Sequence, residues 1–206
     1  MTTEPPKIAA IILAAGQSRR MGRNKLLVDL DGTLVIARVV ESVLASRASP
    51  VLVVTGHQGD ALRDALRGRD VRFIANPDYA DGLSTSLRIG IAALPPETEG
   101  VVVCLGDMPA VDSDVIDALI AALDPTTGAE IVAPSHDGRR GNPVLWGRRF
   151  FAELMTLSGD QGGKPLLAAH PEACRLVAVA TPGILLDLDT PEALARYRDE
   201  TRHQDR

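Results

Sequence analysis

At 206 residues, 45% hydrophobic and 24% charged, the chain has the size and balance of one globular domain, residues 1–206. Its net charge of −5 argues against a general nucleic-acid binder, which carries a basic face. No apolar run approaches the roughly 18 residues of a membrane span. Aromatics are only 3%, so the core must be built from Ala, Val, Leu and Ile. Cys104 and Cys174 lie far apart in sequence, which suits two reduced thiols better than a disulfide or metal site. The start, MTTEPPK, lacks the apolar centre of a signal peptide, so a cytoplasmic location is expected.

The ends, 1–6 and 200–206, are polar or charged and are expected to be loose. The apolar run at 7–14 reads as a buried parallel strand. It feeds directly into LAAGQSRRMGRNK, residues 13–25. Gly16 and Gly22 allow backbone N–H groups to approach a ligand, and turns of consecutive N–H groups favour anions. Arg19, Arg20, Arg23 and Lys25 add positive charge to this stretch of an acidic chain. The reading is a cradle for a polyphosphate. On its own the loop also reads as a glycine-rich turn with solvated arginines. It is not a P-loop, whose glycines are closer and whose lysine is followed by a hydroxyl; here Leu26 follows Lys25. The G-x-G-x-x-G fingerprint is absent too.

Further along, Asp31-Gly32 makes a turn, and apolar spacing predicts a helix over 34–46. Strands at 51–54 and 71–75 flank a helix over 59–66. This β-loop-α-β-α-β series predicts a mostly parallel, doubly wound sheet in three α/β/α layers. The next helix starts at Ser84, Thr85 and Ser86, which are placed to cap it or to meet a ligand. Strand 101–105 ends in Gly106-Asp107-Met108-Pro109. Ligands of open α/β sheets bind outside the carboxyl ends of strands, so Asp107 is suited to hold Mg²⁺ against a triphosphate. Asp112 is better placed to cap the helix over 115–123.

A strand at 129–133 leads into 134–146, read as a small β-hairpin excursion with a tight turn. Arg139 and Arg140 there could meet an anionic substrate. A short helix over 148–157 precedes a second glycine-rich turn, Ser158 to Pro165, carrying Lys164. Helix 166–170 and strand 175–180 follow. Asp187 and Asp189 alternate with apolar residues, which projects both carboxylates to one side of an extended segment. Thr190 and Pro191 have the types of an N-cap and first helical residue, opening a last helix to about 198.

With these pieces in place the chain resembles the nucleotidyltransferases of molybdenum cofactor maturation, within the group that includes sugar-nucleotide pyrophosphorylases. The resemblance is carried by LAAGQSRRMGRNKLL, NPDYADGLSTSLRIGI, GDMP, GRRGNPVLW, SGDQGGKPLL and LLDLDTPEAL, in that order. It looks most like the molybdenum cofactor cytidylyltransferases. Related guanylyltransferases tend to read Ala-Gly-Gly where this chain has Ala14-Ala15-Gly16.

The resemblance implies a Rossmann-like fold, Mg²⁺ as cofactor, and transfer of CMP from CTP to a molybdopterin-type acceptor, with a transient molybdoenzyme as a further partner. It implies nucleotide binding by Leu13, Ala14, Ala15, Gly16, Arg20, Met21, Gly22 and Lys25, with Arg20, Lys25 and Asp107 catalytic. Asn76 and Ser86 would lie near base and ribose. Asp107 and Asp189 would hold the metal. Gly141, Asn142, Pro143, Gly162 and Lys164 would line the acceptor side. Two departures fall on that side: Asn142 replaces a common histidine, and Lys164 replaces a common arginine, losing its bidentate fork. GTP or another triphosphate with a sugar phosphate is the alternative reaction, and a non-catalytic molybdopterin carrier is the alternative class.

Overall fold

The computed structural model describes residues 6–18 and 21–204. Strand β1 (Ile8–Ala14) is buried along its whole length. Its side chains alternate between two apolar clusters. Ile8, Ala10, Ile12 and Ala14 enter one, and Ala9, Ile11 and Leu13 enter the other. This is the period-two pattern of a strand covered on both faces. Burying Ile11 or Ile12 fully contributes about 1.5–3 kcal/mol each.

After the loop, β2 (Asp29–Leu30) and β3 (Thr33–Leu34) form a small antiparallel hairpin. Asp31 and Gly32 turn it, both at positive φ, as the sequence turn predicts. Helix α1 (Val35–Leu44) follows, then β4 (Val51–Thr55), α2 (Gly59–Ala65) and β5 (Arg72–Ala75). Helix α3 (Leu83–Ala92) leads to β6 (Gly100–Leu105), and α4 (Ser113–Ala122) leads to β7 (Ile131–His136). Asp112 caps α4, its Oδ1 accepting from the Val115 N–H at 2.9 Å.

The segment expected as a hairpin excursion divides in two. Residues Arg139–Arg140 form β8, which pairs antiparallel with the end of β7. The second arm, β9 (Val144–Gly147), instead inserts into the main sheet between β6 and β7, antiparallel to both. Its four residues are all buried, which explains why the apolar run Val144-Leu145-Trp146 is a sheet interior and not a protruding arm. Helices α5 (Phe151–Leu154) and α6 (Lys164–Ala169) come next, then β10 (Cys174–Ala178) and α7 (Pro191–Gln204). Thr190 caps α7 as predicted, its Oγ1 accepting from the Ala193 N–H at 3.2 Å. The helix continues to Gln204, past the expected end at about residue 198.

The main sheet runs β10-β7-β9-β6-β1-β4-β5, parallel except at β9 and the β8 pairing. Side chains of α1, α2, α4 and α7 pack in one cluster, and those of α3, α5 and α6 in the other. The result is the Rossmann-like α/β/α sandwich that the strand-helix alternation predicts. The chain moves outward from β1 through β4 to β5, then returns to place β6 on the other side of β1. That reversal opens a crevice at the carboxyl ends of β1 and β6, where ligands of such sheets bind. Among the described residues no helix is long and apolar enough to cross a membrane.

Candidate active site

The ends of β1 and β6 are tied together where the crevice opens. The Gly106 N–H donates to the Leu13 carbonyl at 3.0 Å, which sets Asp107 beside the turn that follows Ala14. In that turn Gly16 is exposed, and a Cβ built there would meet nothing within 4 Å. Its φ is outside the left-handed range, so neither strain nor packing demands glycine at this position. Ser18 has a left-handed φ of 52° and folds the loop back. Its carbonyl accepts from the Met21 N–H at 2.9 Å, and its Oγ accepts from the Lys25 N–H at 3.1 Å. Asn24 caps the short turn Lys25–Leu27, and Leu26 is buried beneath it. The Lys25 backbone is thus pinned while its side chain reaches across the crevice.

That side chain meets two carboxylates. The Lys25 ammonium donates to Oδ2 of Asp107 and to Oδ1 of Asp189. Asp189 arrives on an extended segment in which Leu188 is fully buried and its N–H donates to the Asp107 carbonyl at 3.0 Å. Asp187 and Asp189 flank Leu188 and both line the cleft, as the alternation predicts, although no strand forms there. Burial alone would lower the Lys25 pKa, but the charges and hydrogen bonds of Asp107 and Asp189 more than offset it, and the pKa is raised. Burial, followed by the like charges of Asp189 and Asp107, raises the carboxyl pKa of Asp187, with Lys25 opposing.

The opposite wall is the start of α3 with the loops around it. Buried Asn76 donates to Thr85 Oγ1 and to Ser86 Oγ, both at 2.9 Å. The helix start is closed by the later glycine-rich turn: the Leu83 N–H donates to Asp160 Oδ1 at 3.2 Å and the Ser84 N–H to the Gly159 carbonyl at 3.1 Å. None of the three hydroxyl residues caps α3. The cleft enclosed by these walls has a volume of about 580 Å³.

Of the residues singled out from the sequence, Leu13, Ala15, Gly16, Lys25, Ser86, Asp107, Lys164 and Asp189 line this cleft together. Ala14 is buried in the core beneath it. Met21 and Gly22 are not among its lining residues, and Asn76 stands behind Ser86. Gly162 packs on Leu83, where an added Cβ would come within 3.1 Å. Gly141, Asn142 and Pro143 are not among the cleft's lining residues either. A Cβ on Gly141 would fall 2.3 Å from the Ile184 carbonyl oxygen, and the Asn142 N–H donates to that same oxygen at 3.0 Å. Pro143 faces Met108 and Val111. Arg20 lies outside the described residues. Gln17, Ser18, Tyr79 and Asp160 also line the cleft and were not singled out as site residues. Asp160 had a signal in the glycine-rich turn around it; Tyr79 had only its place in the loop before α3.

Among the described residues, no three His, Cys, Asp or Glu side chains converge as a ready-made metal site. The two carboxylates beside an open glycine turn fit a divalent cation. Such an ion can be held by one or two carboxylates together with substrate phosphates.

Known proteins resemble this chain over most of its length. The molybdenum cofactor cytidylyltransferase of Escherichia coli (strain K12) is 28% identical over 186 residues, which is 90% of this chain and 92% of that protein. A nucleotidyl transferase from Methanothermobacter thermautotroptrophicus superposes with a TM-score of 0.82 at 28% identity, covering 96% of this chain and 98% of that one. Rv0371c of Mycobacterium tuberculosis H37Rv, solved as a complex with manganese, has a TM-score of 0.77 at 28% identity, covering 95% of this chain and all of that one (100%). The family model for the MobA-like NTP transferase domain matches residues 10–174, from within β1 to the first residue of β10, and the chain belongs to that family.

Proposed function

We propose that this nucleotidyltransferase moves CMP from CTP onto the phosphate of a molybdopterin-type acceptor and releases pyrophosphate. The observation that carries the reading is the meeting of Lys25, Asp107 and Asp189 beside the open turn at Gly16. The choice of CTP and molybdopterin is supported by the E. coli relative and by Ala14-Ala15-Gly16. The two free cysteines, Cys104 and Cys174, suit a reducing cytoplasm.

In the reaction an acceptor phosphate oxygen forms a bond to the α-phosphorus of the triphosphate. The bond from that phosphorus to the β-bridging oxygen breaks, and pyrophosphate leaves with the electron pair. An acceptor phosphate is already ionised near neutral pH, so no strong general base is needed. Catalysis is then positioning and charge stabilisation. Asp107 and Asp189 would hold Mg²⁺, which when bound offsets charge on the phosphate oxygens. Lys25, now paired with Asp107 and Asp189, would meet the phosphates, the role that the resemblance also gives to Arg20. The backbone at Ala15 and Gly16 approaches the triphosphate. Lys164 meets the acceptor's negative charge across the cleft.

Pyrophosphate release by Asp107→Ala and Lys25→Ala tests these roles. Asp107→Ala is expected to abolish turnover while the far-ultraviolet circular dichroism stays unchanged. Lys25→Ala is expected to lower kcat/KM for the triphosphate by about 100-fold or more. Near-normal metal-dependent turnover in either variant contradicts the assignment.

A further inference from the structure

The hydrogen bonds behind Ser86 have a direction. The Asn76 backbone is anchored at the end of β4, its N–H donating to the Thr55 carbonyl at 2.7 Å. Its side-chain Oδ1 accepts from the Asp78 N–H at 3.0 Å. A backbone N–H can only donate, so this contact fixes which end of the carboxamide is oxygen. The NH₂ end then faces Thr85 Oγ1 and Ser86 Oγ, and each hydroxyl must accept from it. Thr85 spends its own proton on the Gly82 carbonyl at 2.8 Å or the Asp78 carbonyl at 3.0 Å. Ser86 has accepted a bond and its proton has no acceptor among the described residues, while it is 97% buried and lines the cleft. A buried hydroxyl proton without an acceptor is costly unless a ligand supplies one.

We infer that Asn76 is a positioning residue that fixes Ser86 as a hydrogen-bond donor, so that the nucleoside must present an acceptor atom to it. This rests on the nucleotide occupying the cleft as proposed above. It goes beyond that reading by assigning a polarity to one contact and a role to a residue that does not itself line the cleft. Two parts of a nucleoside offer such an acceptor, a base carbonyl or ring nitrogen and a ribose hydroxyl oxygen. A base N–H at this point would leave two donors facing each other, which disfavours that base.

Calorimetric binding of CTP, GTP, UTP, 2′-deoxy-CTP and 3′-deoxy-CTP without acceptor tests the inference independently of turnover. Ser86→Ala is expected to weaken CTP by about tenfold, and Ser86→Thr to retain most of the affinity. Asn76→Asp replaces the donor by an acceptor of the same shape, turns the Ser86 proton away from the cleft, and is expected to weaken CTP by a similar factor. The decisive comparison is the double variant: with Ser86→Ala already present, Asn76→Asp should cost little more. Equal loss from Asn76→Asp with and without Ser86 would show a merely structural role and overturn the inference, as would undiminished CTP binding by Ser86→Ala. Should Asn76→Asp fail to fold, the Ser86→Ala and Ser86→Thr pair still decides whether the donor matters. A loss with Ser86→Ala that disappears for 2′-deoxy-CTP assigns the acceptor to the 2′-hydroxyl, one that persists there but disappears for 3′-deoxy-CTP assigns it to the 3′-hydroxyl, and one that persists for both assigns it to the base. A protein that binds triphosphate with this dependence but releases no pyrophosphate would fail the transfer reading and leave the Ser86 polarity standing.

Discussion

Asp187 carries a cost that can be measured. Burial and the neighbouring charges of Asp189 and Asp107 raise its pKa above the ordinary 3.8. A group raised in the folded state contributes stability below its unfolded pKa and loses it as pH rises through the folded value. Its ionised form therefore weakens the fold at neutral pH. Asp187→Asn is expected to raise the Tm at pH 7 in metal-free buffer, with the advantage fading below about pH 4, where the native carboxyl is also neutral. A lower Tm at pH 7 would contradict this. At this scale Lys25 and Asp107 were legible because each has a local signal: a cation closing a glycine loop, and a carboxylate ending an apolar strand. Asp187 and Asp189 were legible as an alternating pair. Tyr79 and Asp160 were not, since they reach the cleft through the packing of separate loops against the start of α3.

Two glycine-bearing loops that look alike in sequence differ as structural elements. In the turn after β1, an added Cβ at Gly16 meets nothing. Gly16→Ala should therefore leave stability within about 0.5 kcal/mol of the native value. It should weaken triphosphate binding by at least about tenfold, because the close approach of backbone to phosphate is lost. Between β8 and β9 an added Cβ at Gly141 collides with the Ile184 carbonyl. Gly141→Ala should destabilise the fold by about 1–3 kcal/mol. Thermal melts and triphosphate titrations on the two variants separate these outcomes, and equal stability losses would contradict the contrast. This difference was not legible in the sequence, because glycine for a ligand and glycine for a neighbouring carbonyl leave the same letter. The placement of β9 was hidden for a similar reason. Its apolar run is compatible with any buried strand, and only the pairing with β6 and β7 puts it inside the sheet.

For the whole molecule, both apolar clusters are built on the two faces of one sheet, and β1 contributes to each. We expect residues 1–206 to unfold as one unit. Trp146, the single tryptophan, is buried on β9 and packs edge-on to Phe150 with ring centroids 6.1 Å apart. Its fluorescence should change at the same denaturant midpoint as the far-ultraviolet circular dichroism. Separate midpoints would indicate two folding units. The layered α/β/α plan was legible in the sequence because each β-α repeat writes its own apolar period. The acceptor side was less so: its motifs at 141–143 and 162–164 place only Lys164 on the cleft.

The central claim is nucleotidyl transfer in the cleft between Gly16, Lys25, Asp107 and Asp189. Its most direct test is pyrophosphate release from the native protein with molybdopterin and Mg²⁺, comparing CTP, GTP, ATP and UTP. Release with CTP well above the other three is the predicted result. No release with any of them, from folded protein with both substrates present, would contradict the account.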